Sequence, residues 1–322
     1  MPPAFEQTGL LREQNRLKIR WAALSVVSNS LLVAVKVTVG VLGNSVSIIA
    51  EAVHSMNDLL AALITFAAVR KSAQPPDSNH RFGHGKFENL SGLIESALIV
   101  AAGIVIVAQA VRKILHPSPI HYLDLAMGVM LLSAGVNFVV SRILLRVARQ
   151  TDSIAIETDG AHLLVDVYTS LGVMAGLAAI KLTGLVILDP ILSIAIALYI
   201  IYLGSRLSVR AGKDLLDEQL PAEEVQAIEK IIGDRTHAIA SFHKLATRKA
   251  GATRMIDVHI QVHGNESVRT AHDIITHIER DIEFRYPGAR VMIHVEPCDE
   301  TCTLCNVVQC PDRKPTPAPQ KS

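Results

Sequence analysis

Six apolar runs, each long enough to cross a lipid bilayer, constrain this chain more than any other feature. They cover residues 21–41, 46–69, 90–111, 122–144, 161–180 and 182–203. A hydrocarbon core of about 30 Å takes about 20 helical residues to cross. An apolar helix of that length is rare inside a soluble protein, and six in succession are rarer. The composition agrees: 50% of the 322 residues are hydrophobic and only 19% are charged. Turn-forming residues punctuate the runs at Gly43-Asn44, Pro75-Pro76, Pro117-Ser118-Pro119 and Thr183-Gly184. The runs predict an all-α six-helix transmembrane domain.

Lys and Arg are shared unevenly between the connections. Arg12, Arg16, Lys18 and Arg20 precede the first run, and Arg70, Lys71, Arg81 and Lys86 lie in the second connection. Arg142, Arg146 and Arg149 lie in the fourth connection, and Arg206, Arg210 and Lys213 follow the sixth run. The alternate connections hold only Arg112, Lys113 and Lys181. The positive-inside rule therefore puts both termini in the cytoplasm, as an even number of spans also requires. The first run is too long for a signal-peptide core, so no cleavable leader is expected. A net charge of +1 gives no bulk basicity that would point to nucleic acid.

Beyond Lys213 charged and apolar residues alternate, and the chain reads as a soluble domain. Pro221 opens a helix with Glu223 and Glu224 at its favourable end. Residues 238–247 and 253–262 read as strands, 267–284 as an amphipathic helix and 290–295 as a last strand. The order αββαβ suits a small two-layer α+β domain with an open sheet. The expected organisation is a cytosolic N-terminal segment (1–20), the membrane domain (21–208), a cytosolic metal-binding domain (209–297) and a Cys-containing tail (298–322), whose last dozen residues are expected to be disordered.

Chemistry is concentrated in two H-x-x-x-D repeats inside the apolar runs. His54 and Asp58 lie in the second run, and His162 and Asp166 in the fifth. A spacing of four puts each pair on one helix face. Ionisable groups at that depth are costly unless they face a partner or a cavity. At a rise of 1.5 Å per residue, His54 lies about 24 Å from Arg70 along its helix, and Asp166 about 26 Å from Arg149. The two helices are antiparallel, so each His can sit beside the Asp of the other. Two imidazoles and two carboxylates make the four-coordinate N/O set that zinc accepts. The two carboxylates bring the ion close to neutrality, which lowers the cost of holding it at depth. Once emptied, the set keeps two carboxylates and two imidazoles able to take up protons, so metal-for-proton exchange is the expectation. The bland alternative is a pair of helix–helix hydrogen bonds with no metal. Asn29, Asn57, Asn137, Lys36, Glu95 and Asp189 also lie in the runs and are assigned no ligand role.

Two further groups have ligand chemistry. Asp77, His80 and His84 lie in the second connection, with Gly83 and Gly85 freeing the backbone. A solvated loop with scattered histidines is the alternative. In the tail domain His243, His259, His272 and His294 sit on four successive elements, with Glu296 two residues past His294. A metal held there between two copies would tie them together. Cys298, Cys302, Cys305 and Cys310 could bind zinc or a softer ion, or act as an oxidation-sensitive tail.

With these motifs the chain resembles the cation diffusion facilitator family, and the bacterial zinc/proton exchangers in particular, over residues 15–297. The F-G-H-G-K context at Phe82 to Lys86 is the most specific part of the match. The resemblance implies six transmembrane helices followed by a cytosolic ferredoxin-like domain, a homodimer, and a multi-pass place in the bacterial inner membrane. It implies a transport site at His54, Asp58, His162 and Asp166, a loop site at Asp77, His80 and His84, and a tail zinc site at His243, His259, His272, His294 and Glu296. Some bacterial members carry Asp where His54 stands, and the His form resembles the zinc-selective ones. Glu296 is Asp in some relatives, a longer arm at that site. Zinc is thus the expected metal, transported and also structural, with protons as counter-ion. An intramembrane hydrolase would need an open coordination position, and the chain has no H-E-x-x-H, so no enzyme is expected. A non-transporting metal sensor on the same scaffold is the other reading.

Overall fold

The computed structural model describes residues 4–42, 46–115, 124–185, 187–235 and 238–298. The chain divides into two compact units, Arg12–Leu216 and Asp217–Ser322, the latter including Met1–Leu11.

The first unit is built from α1 (Ala4–Leu42) from Arg12 onward, α2 (Val46–Ser72), α3 (Lys86–Leu115), α4 (Asp124–Thr151), α5 (Ile154–Thr183) and α6 (Leu188–Leu215). Among the described residues, five stretches are long and apolar enough to cross a membrane: Gly9–Leu42, Ala52–Ser72, Lys86–Leu115, Gly128–Thr151 and Leu188–Leu215. α5 has 30 residues, and Glu157, Asp159, His162 and Asp166 crowd its first half. Packing explains how it tolerates them. α5 touches α2, α3, α4 and α6, and its Ile154, Ala155, Ile156, Ala161, Leu163 and Val165 are buried. A helix enclosed by protein can carry polar groups that a lipid-facing helix cannot. The other helices expose apolar side chains, among them Leu31, Leu60, Ile104, Val139 and Tyr202, and the second half of α5 exposes Leu171 and Val173.

α1 begins at Ala4 rather than near Trp21. Residues 6–18 hold Glu6, Gln7, Leu10, Leu11, Glu13, Gln14 and Lys18, all strong helix formers, so the helix runs on through the polar segment. The most extensive helix pairing is between α3 and α6. It needs glycine: a Cβ on Gly103 would fall 2.6 Å from Ile201 Cγ1, and one on Gly204 2.9 Å from Ile99 Cγ2. At one end of the bundle a single carboxylate gathers four elements. Lys18 Nζ donates to Glu88 Oε1 at 2.6 Å and Ser72 Oγ to the same oxygen at 2.7 Å. Ser153, between α4 and α5, donates to Glu88 Oε2. The Lys18 charge matches the buried Glu88, which would otherwise be costly to desolvate.

The second unit contains α7 (Ala222–Gly233), β1 (Ser241–Ala250), β2 (Thr253–Val262), α8 (Val268–Arg285) and β3 (Arg290–Pro297). The sheet order is β1-β2-β3. β1 and β2 are antiparallel, and Gly251 turns between them at φ +60°. β3 lies parallel to β2, which requires the α8 crossover between them. Ile256, Val258 and Ile260 of β2 pack with Ile228, Ile232, Ile278 and Ile282 of the helices into one core. The intervening residues Asp257, His259 and Gln261 fall on the other face. Ser267 caps α8, accepting a hydrogen bond from the Thr270 amide. β1 starts three residues later in the chain than the sequence pattern predicts, and it is bulged between His243 and Ala246, where Lys244 has φ +50°.

Candidate metal centres

The side chains of the two H-x-x-x-D repeats form a crossed pair. His162 Nε2 lies 3.2 Å from Asp58 Oδ1, and His54 Nε2 lies 3.8 Å from Asp166 Oδ1. Antiparallel α2 and α5 thus place each imidazole beside the other helix's carboxylate. His54, Asp58 and Asp166 each present a ligand atom within 4.8 Å of the others. His162 stands outside that trio but is held on Asp58. A tetrahedral ion about 2.0 Å from its ligands spaces neighbouring ligand atoms about 3.3 Å apart, close to both pair distances. The set is asymmetric: the Asp58 side chain is 6% exposed, whereas that of His54 is 54% exposed. One edge of the set is therefore exposed while the other is enclosed.

Sequence reasoning left two buried residues beside this set without a role. Asn137 on α4 donates through Nδ2 to Asp166 Oδ2 at 3.3 Å. It fixes the orientation of a donor carboxylate, as outer partners of metal ligands do. Asp159, one turn before His162, accepts from Ser25 of α1 at 3.1 Å. Thr65 of α2 donates to Glu95 of α3. His162 Nδ1, Glu95 Oε2 and Asp159 Oδ2 are buried with no hydrogen-bond partner among the described residues. The available signals were a lone amide in an apolar run and a carboxylate three residues ahead of a histidine. Neither spacing is distinctive alone.

The loop between α2 and α3 closes three donors together. His80 Nδ1 lies 3.2 Å from Asp77 Oδ1, and His84 Nε2 lies 3.1 Å from Asp77 Oδ2. His84 Nδ1 faces the Gln74 carbonyl at 3.4 Å, which leaves Nε2 as the ligand atom. Gly83 takes φ +88°, a turn that a side chain would strain. The His80 amide donates to Asp77 at 2.7 Å, and the Asn79 amide at 2.9 Å. The His80 amide bond is the main cause that holds the Asp77 carboxyl down at about 2.

In the tail the strand register lines up three histidines. His243 pairs with His259, and His259 with His294, across β1, β2 and β3. Glu296 Oε1 lies 2.7 Å from His259 Nδ1, and its Oε2 lies 3.2 Å from His243 Nε2. The hydrogen bond from His259 holds the Glu296 carboxyl below its usual range. His243, His259 and Glu296 form a three-donor group, with His294 Nε2 3.8 Å from Glu296 at its edge. His272 lies exposed on α8 and is not brought into that group. Cys298 is buried, and its amide donates to Val262 O at 2.7 Å. Cys302, Cys305 and Cys310 lie outside the described residues.

Comparison with known proteins follows the same division. Residues 22–216 match the model of a cation efflux transmembrane domain, and residues 220–298 that of a cation efflux protein cytoplasmic domain. An uncharacterized transporter of Synechocystis sp. is 33% identical over 304 residues, 94% of this chain and 97% of that protein. The cation-efflux pump FieF of Yersinia pestis is 33% identical over 283 residues, 87% of this chain and 94% of the pump. A solved structure of CzrB in its zinc form is 36% identical over 25% of this chain and 92% of the solved one. Its TM-score of 0.24 is too low to bear on the arrangement of this chain.

Proposed function

The chain belongs to the cation diffusion facilitator family of cation efflux transporters, and on that premise we propose that it exports zinc in exchange for protons. The observation that carries the reading is the crossed His/Asp pair, His54 with Asp166 and His162 with Asp58. Two carboxylates balance a divalent charge, and two imidazoles supply the nitrogen donors that favour zinc over harder ions. In this reading α5 also spans the membrane and completes a set of six, both termini are cytoplasmic, and the chain sits multi-pass in a bacterial inner membrane. A cytosolic ion enters between α2 and α5, rests between the two pairs and leaves outward by alternating access. The four vacated groups then carry protons back. The tail domain is ferredoxin-like and pairs with that of a second copy. Its His243, His259, His294 and Glu296 hold regulatory zinc, and Asp77, His80 and His84 hold another ion at the loop. Such a clamp can shift the dimer only if one arrangement binds zinc more tightly than the other.

The test is uptake into sealed vesicles holding the full chain, with zinc, cadmium, manganese and iron compared under an imposed pH gradient. Zinc flux that rises with the gradient, accompanied by counter-movement of protons, supports the reading. Zinc flux indifferent to the gradient removes proton exchange, and the absence of zinc flux removes zinc.

A further inference from the structure

One face of α4 carries a stripe that the transport reading does not use. Gly128, Leu131, Leu132, Gly135 and Val139 line a shallow apolar groove of about 670 Å³. Arg142, Leu145, Arg146, Arg149 and Gln150 line a second groove of about 330 Å³ farther along the same helix. Steps of three and four residues link Gly128, Leu131, Gly135, Val139, Arg142, Arg146 and Arg149, so all lie along one helix face. The three arginines are exposed, and none has an ion pair or hydrogen bond within the described residues. The glycines are unexplained by the chain's own packing. A Cβ on Gly128 or Gly135 would meet nothing within 4 Å, yet each glycine costs about 1 kcal/mol of helix stability.

We propose that this face binds an anionic phospholipid, its acyl chain along the Gly128–Val139 groove and its phosphate on Arg142, Arg146 and Arg149. The dimensions fit. Gly128 to Val139 spans about 16 Å of helix, and one leaflet contributes about 15 Å of hydrocarbon. The arginines begin where that leaflet ends. Guanidinium groups suit phosphate oxygens, which they engage in pairs. A lipid explains the glycines as the floor of a chain-sized groove. A second copy fits less well: a two-fold axis along the membrane normal would bring the three arginines of each α4 against the same three of its partner.

The test is native mass spectrometry of the full chain titrated with phosphatidylglycerol, phosphatidylcholine and inorganic phosphate. Phosphatidylglycerol should bind more tightly than phosphatidylcholine, and Arg142→Gln/Arg146→Gln/Arg149→Gln together should weaken it by about a hundredfold while leaving phosphatidylcholine unchanged. Gly135→Leu, whose side chain starts in open space, should weaken both lipids. Equal binding of the two lipids to the unaltered chain overturns the proposal. So does phosphatidylglycerol binding that survives the triple change, or its displacement by phosphate alone. A dimer that Gly135→Leu dissociates, with lipid binding unchanged, assigns the groove to a second copy instead.

Discussion

The mid-membrane pair and the tail histidine row use the same donors in opposite settings. Asp58 is buried between α2 and α5, and its partner His162 comes from a helix 104 residues away in sequence. In the tail, His243, His259 and His294 are neighbours by strand register, and Glu296 reaches them from the last strand with solvent at hand. Burial changes what each donor is worth. A buried carboxylate loses both solvation and partner when its ligand set is broken, whereas a half-exposed one is rescued by water. Identical ligand chemistry should therefore be indispensable in one place and adjustable in the other.

The largest expected contrast tests that difference directly. Asp166→Ala should lower zinc flux in vesicles by more than a hundredfold with the chain still folded, while Glu296→Ala lowers it by less than about fivefold, since Glu296 belongs to a separate ligand group. Equal losses in the two variants would erase the distinction. Next in size is Asn137→Ala. It frees Asp166 Oδ2 without removing a donor, so zinc affinity at the membrane set should fall roughly tenfold. Competition by a chromophoric chelator reads that affinity, and an unchanged value would make Asn137 a packing residue. His54→Asp should keep flux but narrow the preference for zinc over manganese by several-fold, because an oxygen replaces a nitrogen donor. A preserved zinc preference would move selectivity away from His54.

The smallest effect concerns the loop. The folded-state pKa of Asp77 is depressed to about 2 by the His80 amide. A depressed carboxylate contributes order that is present above its unfolded pKa and lost as pH falls through the folded one. Exchange protection of the His80 and Asn79 amides should thus hold down to pH 4 and fail only as pH approaches about 2. Loss of protection already near pH 5 would contradict that anchoring.

Much of this architecture was legible in the residues. The apolar runs located the outer helices, because lipid exposure demands uninterrupted hydrophobic length. Period-two alternation at Met255 to Val262 marked β2, whose two faces meet core and solvent. The H-x-x-x-D repeats carried enough information for their crossing, since antiparallel helices leave few other arrangements at matched depth. What stayed hidden depends on neighbours distant in sequence. The enclosure of α5 is set by four other helices. The contact of Asn137 with Asp166 needs the α4–α5 packing, and His272 lies apart from the tail group because α8 presents it to solvent. The extension of α1 lies outside its apolar run for a different reason: helix-forming residues continue the helix through the polar segment.

Zinc K-edge absorption on the full chain, with Asp77, His80, His84, His243, His259 and Glu296 all changed to Ala and residues 298–322 removed, tests the central claim most directly. The account predicts one retained zinc per chain with two nitrogen and two oxygen neighbours at about 2.0 Å, and its loss when Asp58→Ala is added. A chain that retains no zinc, or keeps the same coordination after Asp58→Ala, would contradict it.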